Sequence, residues 1–267
     1  MMNYFKNKEE NIKKAVEHIK LMEDIYSKEI LHSTRNTVCN LGINPARRKM
    51  DQEYIYEFSE VIIDDKDVIT ALLETNNDNG GRIAVLNFAD YKFPGGKFLE
   101  GSMAQEESLC HHSILYNVLS NFSELYYAQN RKDLRRGLYY DKSLYSKDIL
   151  FDVWRDGVRY KFTRDVITCA APFAKTVLRY KFGTKEDVEE AMRNRILHII
   201  QVAVNNEVDT LILGAFGCGV FGNDPEFVAT TFRDYLNGPF AHSFQKVVFA
   251  IPKGHNNKVF RRVFMGL

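Results

Sequence analysis

Four short runs of apolar residues constrain the fold of this chain more than any other feature of its sequence. They lie at residues 83–88, 166–171, 210–213 and 247–251. Continuous apolar runs of this length are typical of strands that are buried on both faces of a parallel sheet. Amphipathic helical stretches separate them, one with a capping-box pattern at Thr184 and one beginning at Asp224-Pro225. Buried strands that alternate with such helices predict an α/β sandwich.

The first third of the chain predicts a helix followed by a strand and a second, shorter helix. Apolar residues recur at helical spacing from residue 12 onward, at Val16, Ile19, Met22, Tyr26 and Ile30. Residues 53–63 alternate like a strand, and Asp65 is a predicted N-cap for a helix that ends near Thr75. A cluster of Asn and Gly at residues 76–81 predicts a turn.

Only one later segment has no clear period, and no linker is apparent. Residues 126–150 mix Lys, Arg and Tyr and predict either a long loop or a small β-excursion. Trp154 is expected to pack in the interior. We therefore expect a single domain, with residues 1–80 as an N-terminal extension and first strand and residues 81–267 as the catalytic core.

The composition argues against several classes of protein. The 36 basic and 35 acidic residues leave a formal net charge of +1, so we expect no extended basic face for nucleic acid. Four scattered cysteines without a Cys-x-x-Cys pair favour reduced thiols over a zinc site or disulfides. No signal peptide or membrane-length apolar run is apparent. We expect a soluble, cytoplasmic protein without a membrane partner.

Two glycine-containing loops directly follow buried strands and predict a ligand site. The first spans residues 94–107 and the second residues 214–223. In open α/β sheets, ligands bind at the carboxyl ends of strands, and glycines there let backbone N–H groups approach a diphosphate. The second loop leads into the helix that opens at Pro225, whose positive end favours an anion. Neither loop matches a Walker A or a dinucleotide-binding fingerprint.

The sequence Gln105-Glu106-Glu107 at a predicted helix start has two interpretations. Acidic residues in a first turn complement the helix dipole, and on the pattern alone this is the more frequent case. Alternatively, one carboxylate is a general acid/base beside the glycine loop. Adjacent helical residues point about 100° apart, so one glutamate would face the reaction centre while the other orients a hydroxyl. Their repulsion and desolvation would raise the pKa of at least one of them.

Together these motifs resemble microbial-type poly(ADP-ribose) glycohydrolases, a branch of the macrodomain superfamily. The resemblance rests on residues 87–89, 94–96, 105–109, 214–223 and 249–252. It implies a three-layer, macrodomain-like α/β sandwich with a mixed sheet and an N-terminal helical extension. It also implies an enzyme that hydrolyses an O-glycosidic ribose bond of poly- or mono-ADP-ribosylated substrates without a cofactor or metal. The alternative is a reader that binds ADP-ribose without cleaving it, and the two glutamates favour catalysis.

The same resemblance implies the roles of individual residues. Glu107 would protonate the departing oxygen and then activate water, with Glu106 as the second catalytic residue. Phe221 would lie against the distal ribose and residues 217–222 would hold the diphosphate. The implied substrate-binding residues are Asn87, Asp90, Gly95, Gly96, Lys97, Gln105, Gly217, Cys218, Gly219, Val220, Phe221, Gly222 and Asn223. The expected partner is ADP-ribose or an ADP-ribosylated protein or nucleic acid.

Two positions depart from the family pattern. Lys97 stands where the family usually has a third glycine, and Phe93 stands where it usually has Asn. A phenylalanine cannot hydrogen-bond a ribose hydroxyl, and a lysine adds both bulk and charge. Two effects of Lys97 remain open: its ammonium pairs with a substrate phosphate, or its stem crowds the site of a polymer chain. We expect the crowding.

Overall fold

The computed structural model describes residues 2–42, 56–57, 59–75 and 81–266. Their central element is a mixed seven-stranded sheet with the strand order β1-β4-β5-β3-β6-β7-β2. The strands are β1 (Thr37–Leu41), β2 (Glu60–Asp64), β3 (Arg82–Phe88), β4 (Lys142–Arg155), β5 (Val158–Cys169), β6 (Val208–Leu213) and β7 (Lys246–Ala250). The strands β5, β3, β6, β7 and β2 are parallel neighbours, whereas β1 and β4 are added antiparallel at one edge. The mixed sheet expected from the resemblance is confirmed.

Helices cover both faces of this sheet. Those that the structure describes are α1 (Met2–Arg35), α2 (Val68–Glu74), α3 (Gln105–His111), α4 (Leu115–Ser120), α5 (Ala128–Lys132), α6 (Ala174–Arg179), α7 (Lys185–Asn205), α8 (Pro225–Leu236) and α9 (His255–Met265). The capping box at Thr184 and the Asp224 N-cap with Pro225 at the first helical position are both confirmed. None of the described helices has the length and hydropathy that a membrane span requires.

Alternation along β3 divides the interior into two hydrophobic cores. Ala84 and Leu86 pack on one face of the sheet, in the core that contains α7, α8 and α9. Ile83 and Val85 point to the other face, where α1, α2, α3 and α4 contribute side chains. Successive strand residues face opposite sides, so a continuous apolar run supplies both cores. The three-layer sandwich follows from this arrangement.

Helix α1 extends along the second core and is joined to it by polar contacts. Tyr26 donates a hydrogen bond to Asp152 Oδ2 at 2.7 Å, and Asn117 Nδ2 donates to the Ile19 carbonyl at 3.1 Å. The predicted helix is confirmed, but its predicted apolar face is partly wrong. Val16 is 55% exposed, and Ala15 is buried in its place.

Several local predictions differ from the structure. The N-cap of α2 is Asp67 and not Asp65, although the helix does end before Thr75. The predicted strand at 53–63 is β2 only from Glu60, while residues 53–55 and 58 lie outside the described residues, as do residues 76–80 of the predicted turn. Trp154 is 66% exposed rather than packed, because it lies near the tip of the β4–β5 hairpin.

Residues 126–150 contain both of the predicted alternatives, one after the other along the chain. A π-helical turn at Ser123–Tyr127 leads into α5, and a 3-10 turn at Arg135–Gly137 follows. The segment then enters β4, which pairs with β5 over most of its length. The β-excursion is therefore the correct prediction for the second half of the segment.

Candidate active site

A cleft of about 750 Å³ opens at the carboxyl ends of β3, β6 and β7. The chain at the end of each of these strands lines it, at residues 88–90, 215–217, 219–221 and 251–256, together with residues 102–108 at the start of α3. This is the edge at which parallel α/β sheets bind ligands. The sequence predicted it from the two glycine loops.

Glu106 is a fully engaged carboxylate at the base of this cleft. Asn87 Nδ2 donates to its Oε1 at 3.1 Å, and the Asp90 backbone N–H donates to its Oε2 at 2.7 Å. The side chain is almost completely buried. Burial raises the pKa of Glu106 well above its usual value, and the charge of Glu107 adds to this effect, while the two hydrogen bonds oppose it. A raised pKa is the direction that was predicted for at least one member of the pair.

Glu107 differs from its neighbour in having one oxygen without a partner. Its Oε1 accepts a hydrogen bond from the Lys97 backbone N–H at 2.9 Å. Its Oε2 is buried, and no described residue gives it a hydrogen bond. Both glutamates line the cleft. Because buried carboxylate oxygens are rarely left unpaired, the free oxygen of Glu107 is the one that is available to a ligand.

Gln105 fixes the start of α3 against β3. Its Oε1 accepts from the Phe88 N–H at 2.8 Å, and its Nε2 donates to the Leu86 carbonyl at 2.7 Å. The side-chain amide therefore pairs with the end of β3 as a neighbouring strand would. Since these two bonds occupy the amide, Gln105 acts by positioning the two glutamates that follow it.

The first glycine loop wraps closely around both carboxylates. Gly96 has φ +58°, and a Cβ there would lie 2.7 Å from Glu106 Oε2 and 3.0 Å from Glu107 Oε1. Only glycine combines this conformation with this close approach. Asp90 shapes the same loop, because its Oδ1 accepts the backbone N–H groups of Lys92 and Phe93.

Lys97 fits the loop although the family usually has glycine there. Its φ of −103° is ordinary for any residue, so the substitution causes no backbone strain. The side chain is 70% exposed and its Nζ lies 3.9 Å from Glu100 Oε2. The contact to Glu107 is made by the backbone alone. The side chain extends toward solvent, and its expected crowding of the site of a polymer chain stays a prediction.

The second glycine loop presents backbone to the same cleft. Gly217 has φ +72°, and a Cβ there would lie 2.6 Å from both Ala171 Cβ and Asn223 Nδ2. Asn223 Nδ2 in turn donates to the Gly217 and Pro172 carbonyls at 3.0 and 2.8 Å, which closes the loop. By contrast, a Cβ on Gly219 would meet no atom within 4 Å, so this glycine faces open space in the cleft.

Three consecutive backbone N–H groups of this loop remain available to a ligand. Turn bonds use the N–H groups of Cys218 and Gly222, but no such bond in the described chain uses those of residues 219–221. Phe221 stacks on Phe173 with ring centroids 4.6 Å apart, and this contact holds the loop at the wall of the cleft. Unpaired N–H groups in a glycine-rich turn form a typical anion site.

The Cys218 thiol is not a nucleophile in this arrangement. Burial raises its pKa to about 12, and its sulfur points back toward the Phe216 carbonyl at 3.5 Å. A thiolate is therefore disfavoured. Nor does any group of three His, Cys, Asp or Glu residues in the described chain have the arrangement of a metal site.

The structure brings most of the predicted residues to the cleft and adds others. Asp90, Gly96, Lys97, Gln105, Glu106, Glu107, Gly217, Gly219, Val220 and Phe221 line it, whereas Asn87, Gly95, Cys218, Gly222 and Asn223 are not among the lining residues. The residues that the sequence analysis missed are Asp67 and the segment 253–256. The second could have been found, because it follows a predicted buried strand at the same edge of the sheet.

Comparisons with known proteins agree with this geometry. The family model described as "Microbial-type PARG, catalytic domain" matches residues 2–156, where PARG is poly(ADP-ribose) glycohydrolase. The PARG of Thermomonospora curvata is 28% identical, with a TM-score of 0.80, over 96% of this chain and 100% of that one. The same protein bound to the inhibitor ADP-HPD gives a TM-score of 0.81.

A second bacterial enzyme gives a similar result. The PARG of Deinococcus radiodurans in complex with ADP-ribose is 30% identical, with a TM-score of 0.77, over 89% of this chain and 97% of that one. These structural matches cover more of the chain than residues 2–156. No curated protein sequence is similar enough to this chain to be matched.

Proposed function

This chain belongs to the family of microbial-type poly(ADP-ribose) glycohydrolases, and we propose that it hydrolyses a ribose O-glycosidic bond of ADP-ribosylated substrates with Glu107 as the acid/base. One observation carries the proposal. In a buried pair of carboxylates, only Glu107 retains an oxygen without a hydrogen-bond partner in the described chain.

In the proposed reaction Glu107 acts first as an acid and then as a base. The Glu107 carboxyl donates its proton to the departing oxygen as the bond from that oxygen to the ribose C1″ breaks. The ribose then has oxocarbenium-like character, and the Glu107 carboxylate removes a proton from a water molecule that attacks C1″. The hydroxyl of that water stays on the ribose, and Glu107 is again protonated. The leaving group departs with a free hydroxyl.

Glu106 supports this step without donating the proton. Burial raises its pKa, but both of its oxygens already accept hydrogen bonds, so it lacks the free oxygen that Glu107 has. Asn87 and the Asp90 N–H hold it in one orientation. This arrangement supports a role for Glu106 in orienting a ribose hydroxyl, as expected from its position on α3.

The second glycine loop supports the placement of the diphosphate. Residues 219–221 line the same cleft as Glu107 and have N–H groups without a backbone partner, and a diphosphate accepts such donors well. Phe221 is proposed to contact the distal ribose from its stacked position on Phe173. ADP-ribose, which the Deinococcus radiodurans structure contains, has the required diphosphate and ribose.

The proposal is tested by incubating the protein with poly(ADP-ribose), mono-ADP-ribosylated protein and mono-ADP-ribosylated nucleic acid, and by measuring released ADP-ribose. We expect release from at least one of the three substrates. Micromolar binding of ADP-ribose in calorimetry without any release would instead identify a reader, and the proposal would be wrong.

A further inference from the structure

An exposed aromatic ring with two cations close to it lies in the turn that follows β3. Phe93 is 49% exposed. Lys92 Nζ lies 5.8 Å and the Arg131 guanidinium carbon 5.5 Å from the centroid of its ring. We refer to these three residues as the Phe93 platform.

The platform belongs to the same turn that contacts the catalytic carboxylates. The Gly96 N–H donates to the Phe93 carbonyl at 3.2 Å, which closes a four-residue turn. The ends of such a turn lie within about 7 Å, and Gly96 itself approaches both Glu106 and Glu107. The platform is therefore close to the bond that would be cleaved.

Two further contacts fix the platform in place. Arg131 Nη1 donates to the Lys92 carbonyl at 2.8 Å, and the buried Asn130 Nδ2 donates to the Tyr91 carbonyl at 2.8 Å. These bonds join α5 to the chain after β3. The Arg131 side chain is thus held beside the Phe93 ring, which lowers the entropy that a ligand must offset on binding.

The exposed chain beyond the platform adds positive charge. Lys132, Arg135 and Arg136 are all exposed. Arg135 and Arg136 have φ of +42° and +55°, a region that residues other than glycine rarely adopt and that often marks functional segments. Asp133, whose carboxylate accepts a hydrogen bond from the Tyr140 hydroxyl at 2.6 Å, offsets only one of these charges. The chain as a whole has a formal net charge of only +1, so this local excess is distinctive.

The position of the platform assigns it to the leaving group. The proposed diphosphate site follows β6, and residues 253–256 follow β7, so both lie to one side of β3 in the sheet. The platform is attached to α5 and to the turn after β3, whose Tyr91 packs with Ala170 at the end of β5, on the other side of β3 from the diphosphate site. The leaving group of a substrate bound at Glu107 would extend toward the platform. This assignment rests on the proposed function.

We propose that the Phe93 platform binds a nucleotide unit of the leaving group, with the base against Phe93 and Arg131 and a phosphate near the surrounding cations. Aromatic rings and guanidinium groups stack on nucleobases, and a neighbouring cation neutralises the phosphate. A serine or glutamate side chain as leaving group offers neither a base nor a phosphate. The nucleotide comes from one of two sources: the next unit of an ADP-ribose polymer, or the terminal nucleotide of an ADP-ribosylated nucleic acid.

The first experiment compares kcat/KM on three substrates for the parent, Phe93→Leu and Arg131→Gln. The substrates are short poly(ADP-ribose), a single-stranded oligonucleotide with mono-ADP-ribose on its terminal phosphate, and a peptide with mono-ADP-ribosylated serine. For a nucleotide substrate, the ratio of its kcat/KM to that of the peptide should fall roughly tenfold in both variants. This factor corresponds to loss of one base stack. The substrate for which the ratio falls identifies the source of the nucleotide. Unchanged ratios for both nucleotide substrates would overturn the proposal.

Trp154 provides a matched control. It is also exposed and has a guanidinium, that of Arg159, 5.6 Å from its ring, but it lies near the hairpin tip at the opposite end of β5 from the cleft. Trp154→Leu should retain the parent ratios. A fall equal to that of Phe93→Leu would show that loss of any exposed aromatic residue has this effect, and the platform would carry no specificity.

A binding measurement separates this proposal from the proposed function. Protein saturated with ADP-ribose is titrated with the dinucleotide pdApdA in calorimetry. The parent should bind it at least fivefold more tightly than Phe93→Leu does. The affinity of Arg131→Gln should depend less on salt concentration than that of the parent, because this variant lacks one cation. Loss of hydrolysis with this difference intact would refute only the proposed function. Equal affinities in parent and Phe93→Leu would refute the platform, whatever the hydrolysis assay gives.

Discussion

At the scale of single residues, the active site depends on how two adjacent glutamates differ. The sequence predicted that Glu106 and Glu107 point in different directions, because adjacent helical positions are about 100° apart. It could not predict their partners. Asn87 and the Asp90 N–H occupy Glu106, whereas Lys97 engages only one oxygen of Glu107. These contacts depend on the path of the loop after β3, which no local pattern encodes.

The glycines of the site also differ in their backbone conformation and in the space around them. Gly96 and Gly217 have positive φ and are surrounded by atoms, so side chains there would strain the fold. Gly219 faces open space and has no such constraint. The sequence predicted all three as one class, since the residue type alone does not tell a packed glycine from an open one.

Gly219→Val is therefore predicted to affect binding and not folding. The new side chain would occupy the cleft where the N–H groups of residues 219–221 are available, and it should weaken ADP-ribose binding at least tenfold in calorimetry. The thermal unfolding midpoint should stay near that of the parent. Unchanged affinity in the folded variant would place the ligand elsewhere.

At the scale of secondary structure, the sequence predicted helix starts reliably where a single residue was suitable as the N-cap. Thr184 and Asp224 were predicted and confirmed as N-caps. The prediction for α2 was wrong by two residues, because Asp65 and Asp67 are both suitable N-caps. Asp67 accepts the Ile69 and Thr70 N–H groups at 2.9 Å, while Asp65 forms an ion pair with Lys253 at 3.2 Å.

This pair of aspartates allows a matched test of the cap. Asp67→Ala should lower the free energy of unfolding by about 1 kcal/mol, since it removes the acceptor for the first turn of α2. Asp65→Ala should lower it much less, because exposed ion pairs contribute little. Urea denaturation of both variants measures the difference. Equal effects would mean that Asp67 does not stabilise α2 as a cap.

The long strand β4 shows why the sequence left a loop and a β-excursion as alternatives for residues 126–150. Its register with β5 shifts between Ser146 and Ile149, and Asp148 has φ +54°. A bulge of this kind interrupts the alternation of buried and exposed residues. The sequence of β4 therefore has no constant period of two, although the strand is 14 residues long.

At the scale of the whole molecule, the layers were predictable and the strand order was not. The buried runs at β3, β5, β6 and β7 indicated a sheet covered on both faces, and this is confirmed. The addition of β1 and β4 at one edge and of β2 at the other depends on long-range pairing. Hydrophobic patterning specifies which faces of an element are buried, but it does not specify the neighbours.

Two histidines with lowered pKa connect the stability of the molecule to pH. Burial lowers the pKa of His111 and of His198 to about 4. His198 lies between the Gly42 carbonyl at 2.8 Å and the Ser143 hydroxyl at 3.0 Å, which joins α7 to β4 and to the end of β1. The folded state therefore binds fewer protons than the unfolded state between pH 6.5 and 4.

Stability should consequently decrease as pH falls through this window. For one buried histidine with this shift the loss approaches roughly 3 kcal/mol below pH 4, and none of it is present above about pH 7. His198→Gln should be less stable than the parent at pH 7.5 but should lose less stability between pH 7 and 4.5, as measured by urea denaturation. Parallel pH profiles for the two proteins would contradict the assignment.

The central claim is that Glu107 is the acid/base of a glycohydrolase, and one substitution tests it most directly. Glu107→Gln keeps the size of the side chain and the acceptor for the Lys97 N–H, but it cannot exchange a proton. Release of ADP-ribose from the best substrate should fall by roughly 10²–10⁴-fold, the usual contribution of general acid–base catalysis. Affinity for ADP-ribose in calorimetry should stay within about threefold of the parent. Release at the parent rate by the folded variant would contradict the account.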